Sequence, residues 1–205
     1  MVDVQPSLNI AIYGQLEKQA AKYSIRRTEL RSTFLTAGRR EVDFNVFSST
    51  IPRRITICFV QNEAFNGNLK RSPFFFKPFG LRELCVQAGG QIYPPVPYNW
   101  NFSDEHFVRA YVDFYEALGL ANSDRSCDIS RDQFKNGWSI FIIPMTATLD
   151  DSCGFELLRS GTTSIHAKFD TNIPAGGVEM IVMGEFDQML MIDYNRRVLL
   201  DSNIG

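Results

Sequence analysis

The 205-residue sequence predicts an all-β fold: an antiparallel, eight-stranded jelly-roll β-sandwich with one or two helices in its loops. Three observations lead to this prediction. Several short segments alternate apolar and polar side chains with period two, as strands with one buried side do. The connections between them are long and contain Pro and Gly. Helical periodicity is confined to a few short segments, so the inventory favours two packed sheets over alternating strands and helices.

The chain length suits one domain of the sandwich kind. Residues 1–22 are interpreted as an N-terminal arm or lead-in segment. In it Leu8, Ile10 and Ile12 alternate, and the following LEKQAAK has the composition of a short helix. Residues 23–205 are predicted to form a single jelly-roll domain.

Four segments give the clearest strand signals before the last stretch of the chain. Residues 81–88 have Leu84 and Val86 pointing inward, and Gly89-Gly90 supplies the positive φ angles of a tight hairpin turn. Residues 162–169 alternate cleanly, whereas 138–143 are almost continuously apolar, as in a strand buried on both faces. The fourth segment is 53–60, with Ile55, Ile57 and Phe59 on one face.

The stretch 178–192 predicts a long strand with one side buried. A turn over 193–196 then allows 198–200 to return as its hairpin partner. The outer face of the long strand carries much apolar surface, so another sheet or subunit is expected to cover it. Inward positions are Val178, Met180, Val182, Phe186, Leu190 and Ile192, and the outer face holds Glu179, Glu185, Asp187 and Asp193 beside Met183, Met189 and Met191.

Two helices are predicted in the loops. Residues 103–118 have apolar side chains at helical spacing, with Ser103 as the N-cap and Gly119 at the C-terminal exit. A shorter helix begins at Ser130, where a capping box with Gln133 is expected, and it ends at Gly137.

Composition and charge exclude several classes of protein. The net charge of −2 gives no overall basic field for nucleic acid, and the four Arg-Arg doublets are interpreted as solvated strand ends. None of the four cysteines forms a C-x-x-C pair, a pattern that suits a reducing compartment. No signal peptide or apolar span is evident, so no membrane partner and no specific nucleic acid are expected.

Catalytic, cofactor-binding and metal-binding residues are not predicted. Two alternatives stay open. Glu185, Asp187 and Asp193 on one strand face could serve a metal-dependent hydrolase. Tyr93, Tyr98 and Trp100 in a Pro-rich loop could form the platform of a carbohydrate- or protein-binding β-sandwich.

The candidate functional residues are instead those of an interface, because monomers seldom expose large apolar patches that bind nothing. The triplet 74–76 is too apolar for a free loop, and the methionines of the last long strand form a second patch. The candidate interface residues are Phe74, Phe75, Phe76, Phe79, Met183, Met189 and Met191.

Five short motifs occur in order along the chain: NEAFNG followed by SPFFF, VRAY, ISRD followed by NG, GEFD, and ID followed by Arg196. Their order and spacing, from about Leu8 to Asp201, resemble the C-terminal jelly-roll portion of the double jelly-roll major capsid (hexon-type) proteins of Polinton/Maverick elements and adintoviruses. The chain departs from that family in resembling one roll of the two.

The resemblance implies a non-enzymatic structural protein of a virus or transposable element. Capsid proteins of this lineage form trimers of pseudo-hexagonal outline that tile an icosahedral shell. The implied partners are further copies of the chain in a homotrimer and other capsid subunits, with no cofactor. The implied location is the virion capsid, within the cytoplasm or nucleus of a host cell. A domesticated capsid fragment is the alternative within the same family.

Overall fold

The computed structural model describes residues 5–147, 149 and 159–200, so Cys153 and Asp201 lie outside the described residues. This part of the chain contains nine strands and four helices. The strands are β1 (Ala21–Leu35), β2 (Glu41–Phe47), β3 (Arg54–Gln61), β4 (Leu81–Ala88), β5 (Gln91–Tyr93), β6 (Ile140–Pro144), β7 (Thr163–Phe169), β8 (Val178–Ile192) and β9 (Val198–Leu200). The helices are α1 (Pro6–Leu16), α2 (Asn62–Phe65), α3 (Val108–Ala117) and α4 (Arg131–Lys135).

The strands form two sheets. One has the order β1-β8-β3-β6, with β9 paired to β8, and the other has the order β2-β7-β4-β5. Between β1 and β8 the chain changes sheet at every connection except the β4–β5 hairpin. This repeated crossing between two antiparallel sheets is the jelly-roll connectivity, so the predicted antiparallel jelly-roll class is confirmed. The described residues form nine strands and four helices, where eight strands and one or two helices were predicted.

The core lies between the inward faces of the two sheets. Ile55, Ile57 and Phe59 of β3 are fully buried, as their alternation predicts. The Phe59 ring meets the Phe169 ring of β7 edge-on, with centroids 5.5 Å apart, and so joins one sheet to the other. Ile165 of β7 is also fully buried, so the inward face predicted for 162–169 is confirmed.

Both predicted hairpins are present. Gly89 and Gly90 have φ angles of 57° and 79°, which a two-residue turn between β4 and β5 requires. At the second hairpin, Asp193 Oδ1 accepts a hydrogen bond from the Arg197 amide (2.8 Å), and β9 then pairs with the end of β8. The side chain of Asp193 therefore closes a turn.

Strands β1 and β2 were not predicted. The 15 residues of β1 carry no regular apolar alternation, and only Leu35 among them is buried. The expected helix over LEKQAAK is also wrong: α1 lies earlier, and β1 begins at Ala21. Pro6 stands at the first turn of α1, where a fixed φ favours a helical start, so Leu8, Ile10 and Ile12 are helical rather than extended.

The predicted start of the α3 helix at Ser103 is wrong, because α3 begins at Val108. The Asn101 side chain accepts hydrogen bonds from the amides of Ser103 (3.0 Å) and Asp104 (3.2 Å), which makes a turn that competes with helix. The main chains of Asn101 and His106 then bond each other in both directions. The capping box of α4 is confirmed, with Ser130 and Gln133 as its members.

By contact density the chain divides into two compact units. One comprises the described residues of Met1–Arg27 and Asp187–Gly205, and the other is Thr28–Phe186. The larger unit holds the hydrophobic core and both grooves described below. The boundary between an arm at 1–22 and a domain at 23–205 stays a prediction.

Candidate interface

The connection between β3 and β4 carries the first predicted patch. Phe74 keeps 71% of its surface exposed and Phe75 keeps 46%, whereas Phe76 and Phe79 are half-buried. Leu69 in the same connection is fully exposed. This connection therefore presents an apolar surface that the described part of the chain leaves largely uncovered.

The backbone of this connection is held firmly although its rings point outward. The Phe76 amide donates to the carbonyl oxygen of Gly137 (2.8 Å), and the Phe76 carbonyl accepts from Ser139 N (3.3 Å). The Lys77 amide donates to the Phe59 carbonyl on β3 (3.0 Å). A peptide bonded on both sides in this way keeps the neighbouring side chains in a defined place.

The Phe75 ring packs against the backbone of Gly137. A Cβ atom at Gly137 would lie 2.4 Å from that ring, and the φ angle of 131° disfavours any other residue. The ring therefore packs directly against the glycine backbone.

Phe79 lies in a tight turn that fixes its position. Phe79 and Gly80 have φ angles of 49° and 75°, and the Leu81 amide donates to the Pro78 carbonyl (2.8 Å). These are the features of a type I′ turn, which a phenylalanine adopts only under constraint from its surroundings. The constraint includes packing of Phe79 against the core and a hydrogen bond from Thr171 Oγ1 to its carbonyl (3.3 Å).

The three predicted methionines lie on β8 and are all half-buried. Met183 belongs to the larger unit and stands opposite Thr56 of β3. Met189 and Met191 belong to the smaller unit, where Met191 stands opposite Leu199 of β9.

The carboxylates of the hydrolase alternative are engaged with other groups. Glu185 is buried and accepts hydrogen bonds from Arg54 Nη2 (2.7 Å) and Nε (3.0 Å), with Arg53 Nη1 at 3.4 Å. Asp187 Oδ1 lies 3.4 Å from Arg26 Nε, and Asp193 closes the β8–β9 turn. Across the described ranges, no three His, Cys, Asp or Glu side chains come together as a metal site would require.

The same contacts correct the interpretation of Arg53-Arg54 as a solvated strand end. Arg53 keeps only 6% of its surface exposed, and Arg54 Nη1 also donates to the Ala117 carbonyl at the end of α3 (3.2 Å). A carboxylate as buried as Glu185 needs partners of opposite charge, and the doublet supplies them.

The aromatic platform of the sugar-binding alternative is part of the core, so that prediction is wrong. Trp100 stacks between Tyr98 (4.2 Å between centroids) and Phe141 (4.9 Å), which leaves neither ring face for a ligand. Burial and a hydrogen bond to Asp113 raise the pKa of Tyr98 above its ordinary range. Tyr93 is half-buried, and its hydroxyl bonds Gln91.

A groove beside α2 was missed by the sequence analysis. It has a volume of about 520 Å³, and its lining includes Lys70, Arg71, Lys77, Phe75 and Phe79. The signal was present in the run KRSPFFFK, where cations flank the phenylalanines. This run contains no Arg-Arg doublet, and so it lies outside the basic doublets considered above.

No protein-family model matches the sequence. The chain is 33% identical over 190 residues to an uncharacterized protein of Caenorhabditis elegans, and the alignment covers 91% of this chain and 45% of that protein. The chain therefore spans less than half the length of the curated relative it matches.

Two solved structures share its fold. A chain of the Sputnik virophage structure determined by cryo-EM is 12% identical with a TM-score of 0.50, over 91% of this chain and 40% of its own length. A chain of the quasi-atomic PBCV-1 virus capsid is 10% identical with a TM-score of 0.50, over 89% of this chain and 51% of its own length. Separately, no helix among the described residues is long and apolar enough to cross a membrane.

Proposed function

We propose that this chain is a non-enzymatic structural domain of a viral or transposon capsid protein, and that it forms capsomers of an icosahedral shell. The observation that carries the proposal is the strand order of the two sheets, which gives a jelly roll of the kind found in the PBCV-1 capsid chain. A shell subunit needs rigid sheets and long loops for contacts with neighbours, and this chain has both.

The motif resemblance to Polinton/Maverick and adintovirus capsid proteins supports a transposable-element origin. The relative in a nematode supports it further, because an integrating element leaves copies of its genes in an animal genome. Within this proposal the chain corresponds to one roll of a two-roll capsid protein, and its location is the virion capsid inside a host cell.

The proposed contact surfaces are the two apolar patches. Phe74, Phe75, Phe76 and Phe79 in the β3–β4 connection would be covered by a companion jelly roll or a neighbouring subunit of a homotrimer. Met183, and separately Met189 and Met191, would be covered in the same way. Closed, symmetric assembly buries such patches on every copy at once, which explains how an apolar surface can be tolerated.

The test is assembly of the gene product that contains this chain, expressed in insect cells. Sedimentation of the lysate and negative-stain microscopy of the fast fractions should show regular particles or discrete trimers. A protein that stays a monomer at every concentration would contradict the proposal. The variant Phe74→Ser should reduce assembly, whereas Val96→Ser, at a position of similar exposure (64% against 71%), should leave it unchanged.

We expect no hydrolytic turnover, because Glu185, Asp187 and Asp193 are engaged as described. The measurement is release of product from nucleic acid and ester substrates with Mg²⁺ or Mn²⁺ added. Reproducible metal-dependent hydrolysis that is lost in Asp187→Ala would overturn the structural assignment.

A further inference from the structure

The groove beside α2 has the chemistry of an anion site with aromatic walls. Lys70, Arg71 and Lys77 line it, and the nearest ion pair is the one that Arg71 Nε makes with Glu63 (3.4 Å). Three cations against one carboxylate give this surface a local positive charge on a chain whose net charge is −2. Both lysines are exposed, so their ammonium groups are accessible to a ligand.

Aromatic rings stand directly beside these cations. The Lys77 ammonium lies over the Phe75 ring, 4.9 Å from its centroid. Gly137 packs against that ring, and the type I′ turn holds Phe79. A flat group that stacked on this face of Phe75 would displace the exposed Lys77 ammonium and bring its own charged part within reach of it.

A second groove continues the first. It has a volume of about 280 Å³ and shares Lys77 and Phe79 with the larger groove. Lys135 and Asp170 both line this second groove. Lys135 forms an ion pair with Glu105, and Asp170 forms one with Arg82 (3.4 Å). Because Lys77 and Phe79 line both grooves, we treat the two as one surface and call it the basic track.

We propose that the basic track binds single-stranded nucleic acid without sequence preference, with phosphates at Lys70, Arg71 and Lys77 and a base stacked on Phe75. Cations that follow the backbone, with aromatic faces that take any base, are the general means of such binding. The inference goes beyond the proposed shell function. Phe74, the most exposed ring of the patch, does not line the track, whereas Phe75 and Phe79 belong to both the proposed contact surface and the track. Nucleic acid would therefore bind the chain while no subunit covers these two rings.

An acidic peptide is the less favoured occupant. Its carboxylates would meet the same lysines, but nothing flat would stack on Phe75. A membrane surface is also less favoured, because the cations and Phe75 line a groove instead of a projecting crest.

The test is fluorescence anisotropy of a labelled oligothymidylate, about 20 nucleotides long, titrated with the full chain. We expect binding whose affinity falls with salt, with a log–log slope of about −2 from three phosphate contacts at about −0.7 each. The double variant Lys70→Ala with Lys77→Ala should weaken binding at least tenfold and flatten the slope. Phe75→Ala should weaken binding by about tenfold and leave the slope unchanged, because a stacked base contributes no ion release.

The control is Lys18→Ala with Lys22→Ala, which removes the same charge from exposed lysines that line neither groove. Equal weakening by the control and the test pair would overturn the proposal, since total charge would then explain the binding. A wild-type affinity in the test pair would overturn it as well. Far-UV circular dichroism and thermal melting establish that each variant is folded before its binding affinity is compared with that of the wild type.

Two further arms distinguish the other occupants. An oligoglutamate of equal charge should compete at least tenfold more weakly than unlabelled oligothymidylate, and equal competition would assign the track to acidic peptides. Vesicles of phosphatidylserine and phosphatidylcholine should not retain the chain. Retention that is lost in the test pair, without binding to the oligonucleotide, would assign the track to membranes. Failure of shell assembly leaves these results unaffected, so the two proposals fail separately.

Discussion

The β3–β4 connection and the β5–β6 connection are both rich in aromatic residues, and they differ in what lies over those residues. In the β5–β6 connection, Trp100, Phe107 and Phe134 are all buried and meet other rings. In the β3–β4 connection, Phe74 and Phe75 are exposed. The β5–β6 connection contains α3 and α4, which cover its rings, whereas the β3–β4 connection contains only the four-residue α2. Aromatic content alone therefore does not determine whether the rings of a connection are buried. They are buried where helices of the same connection pack over them.

The largest expected difference between the two connections is in stability. Phe114→Ala should lower the free energy of unfolding by about 3–5 kcal/mol, because Phe114 is buried on the face of α3 that packs on β6. Phe74→Ala should change it by less than about 0.5 kcal/mol, as for other exposed positions. Urea denaturation of both variants gives the comparison. A cost below about 1 kcal/mol for Phe114→Ala would mean that α3 does not dock in solution.

Gly137 is the point of contact between the two connections, because it follows α4 in the β5–β6 connection and packs against the Phe75 ring of the β3–β4 connection. Gly137→Ala should destabilise the protein by about 1–3 kcal/mol, through the strained φ and the clash with Phe75. Gly67→Ala is the matched control, because Gly67 also has a positive φ of 97° but open space around its Cβ position. Thermal melting of both variants separates the two costs. Equal costs would show that Phe75 moves aside freely and that its position against Gly137 is not fixed.

The combined variant Phe75→Ser with Met189→Ser tests whether the phenylalanine and methionine patches bind partners or belong to the core. Because both side chains are partly exposed, the free energy of unfolding should change by less than about 1 kcal/mol, whereas solubility should improve. Denaturation and light scattering measure the two effects. A marked loss of stability without any change in association would place both side chains in the core.

The smallest expected effect on stability comes from the ion pair between Glu105 and Lys135 in the β5–β6 connection. A hydrogen bond from Lys135 lowers the pKa of Glu105 below its ordinary value. A carboxyl with a lowered folded pKa contributes stability above its unfolded pKa and loses it as the pH falls through the folded value. Glu105→Gln should therefore melt slightly below the wild type at pH 6, and the difference should shrink as the pH falls below the ordinary carboxyl value of 4.5. A difference that stays constant as the carboxyl is titrated with acid would show that the contact does not depend on charge.

The sequence predicted most of the strands with one buried face, because alternation is a local signal; β2 was missed although Val42, Phe44 and Val46 alternate along it. The β4–β5 hairpin, β7 and the α4 capping box all follow from residues close together in the chain. Strand β1 was missed because it is mostly exposed, so nothing in its own pattern marks it as extended. It belongs to a sheet through pairing with β8, which is a property of residues far away in the chain.

The candidate functional residues also divide into those that the local sequence indicates and those whose environment depends on distant parts of the chain. The triplet 74–76 was expected to be too apolar for a free loop, and Phe74 and Phe75 are exposed in the described part of the chain. Their role as an interface stays a proposal. Tyr98 and Trp100 were misplaced because their burial depends on Phe141 and on α3, neither of which is local to the Pro-rich loop. The pairing of Arg53 and Arg54 with Glu185 was missed for the same reason.

The strand order also has a consequence for how the chain folds during synthesis. Strand β8 lies between β1 and β3, and about 140 residues separate the end of β1 from the start of β8. At about 5–20 residues per second, a ribosome needs roughly 7–30 seconds to make that intervening chain. During this interval β1 and β3 each lack a neighbour, and unpaired strand edges are sites of aggregation. A nascent chain of this topology should therefore depend on chaperones more heavily than a bundle of the same length, since its contacts join distant parts of the sequence.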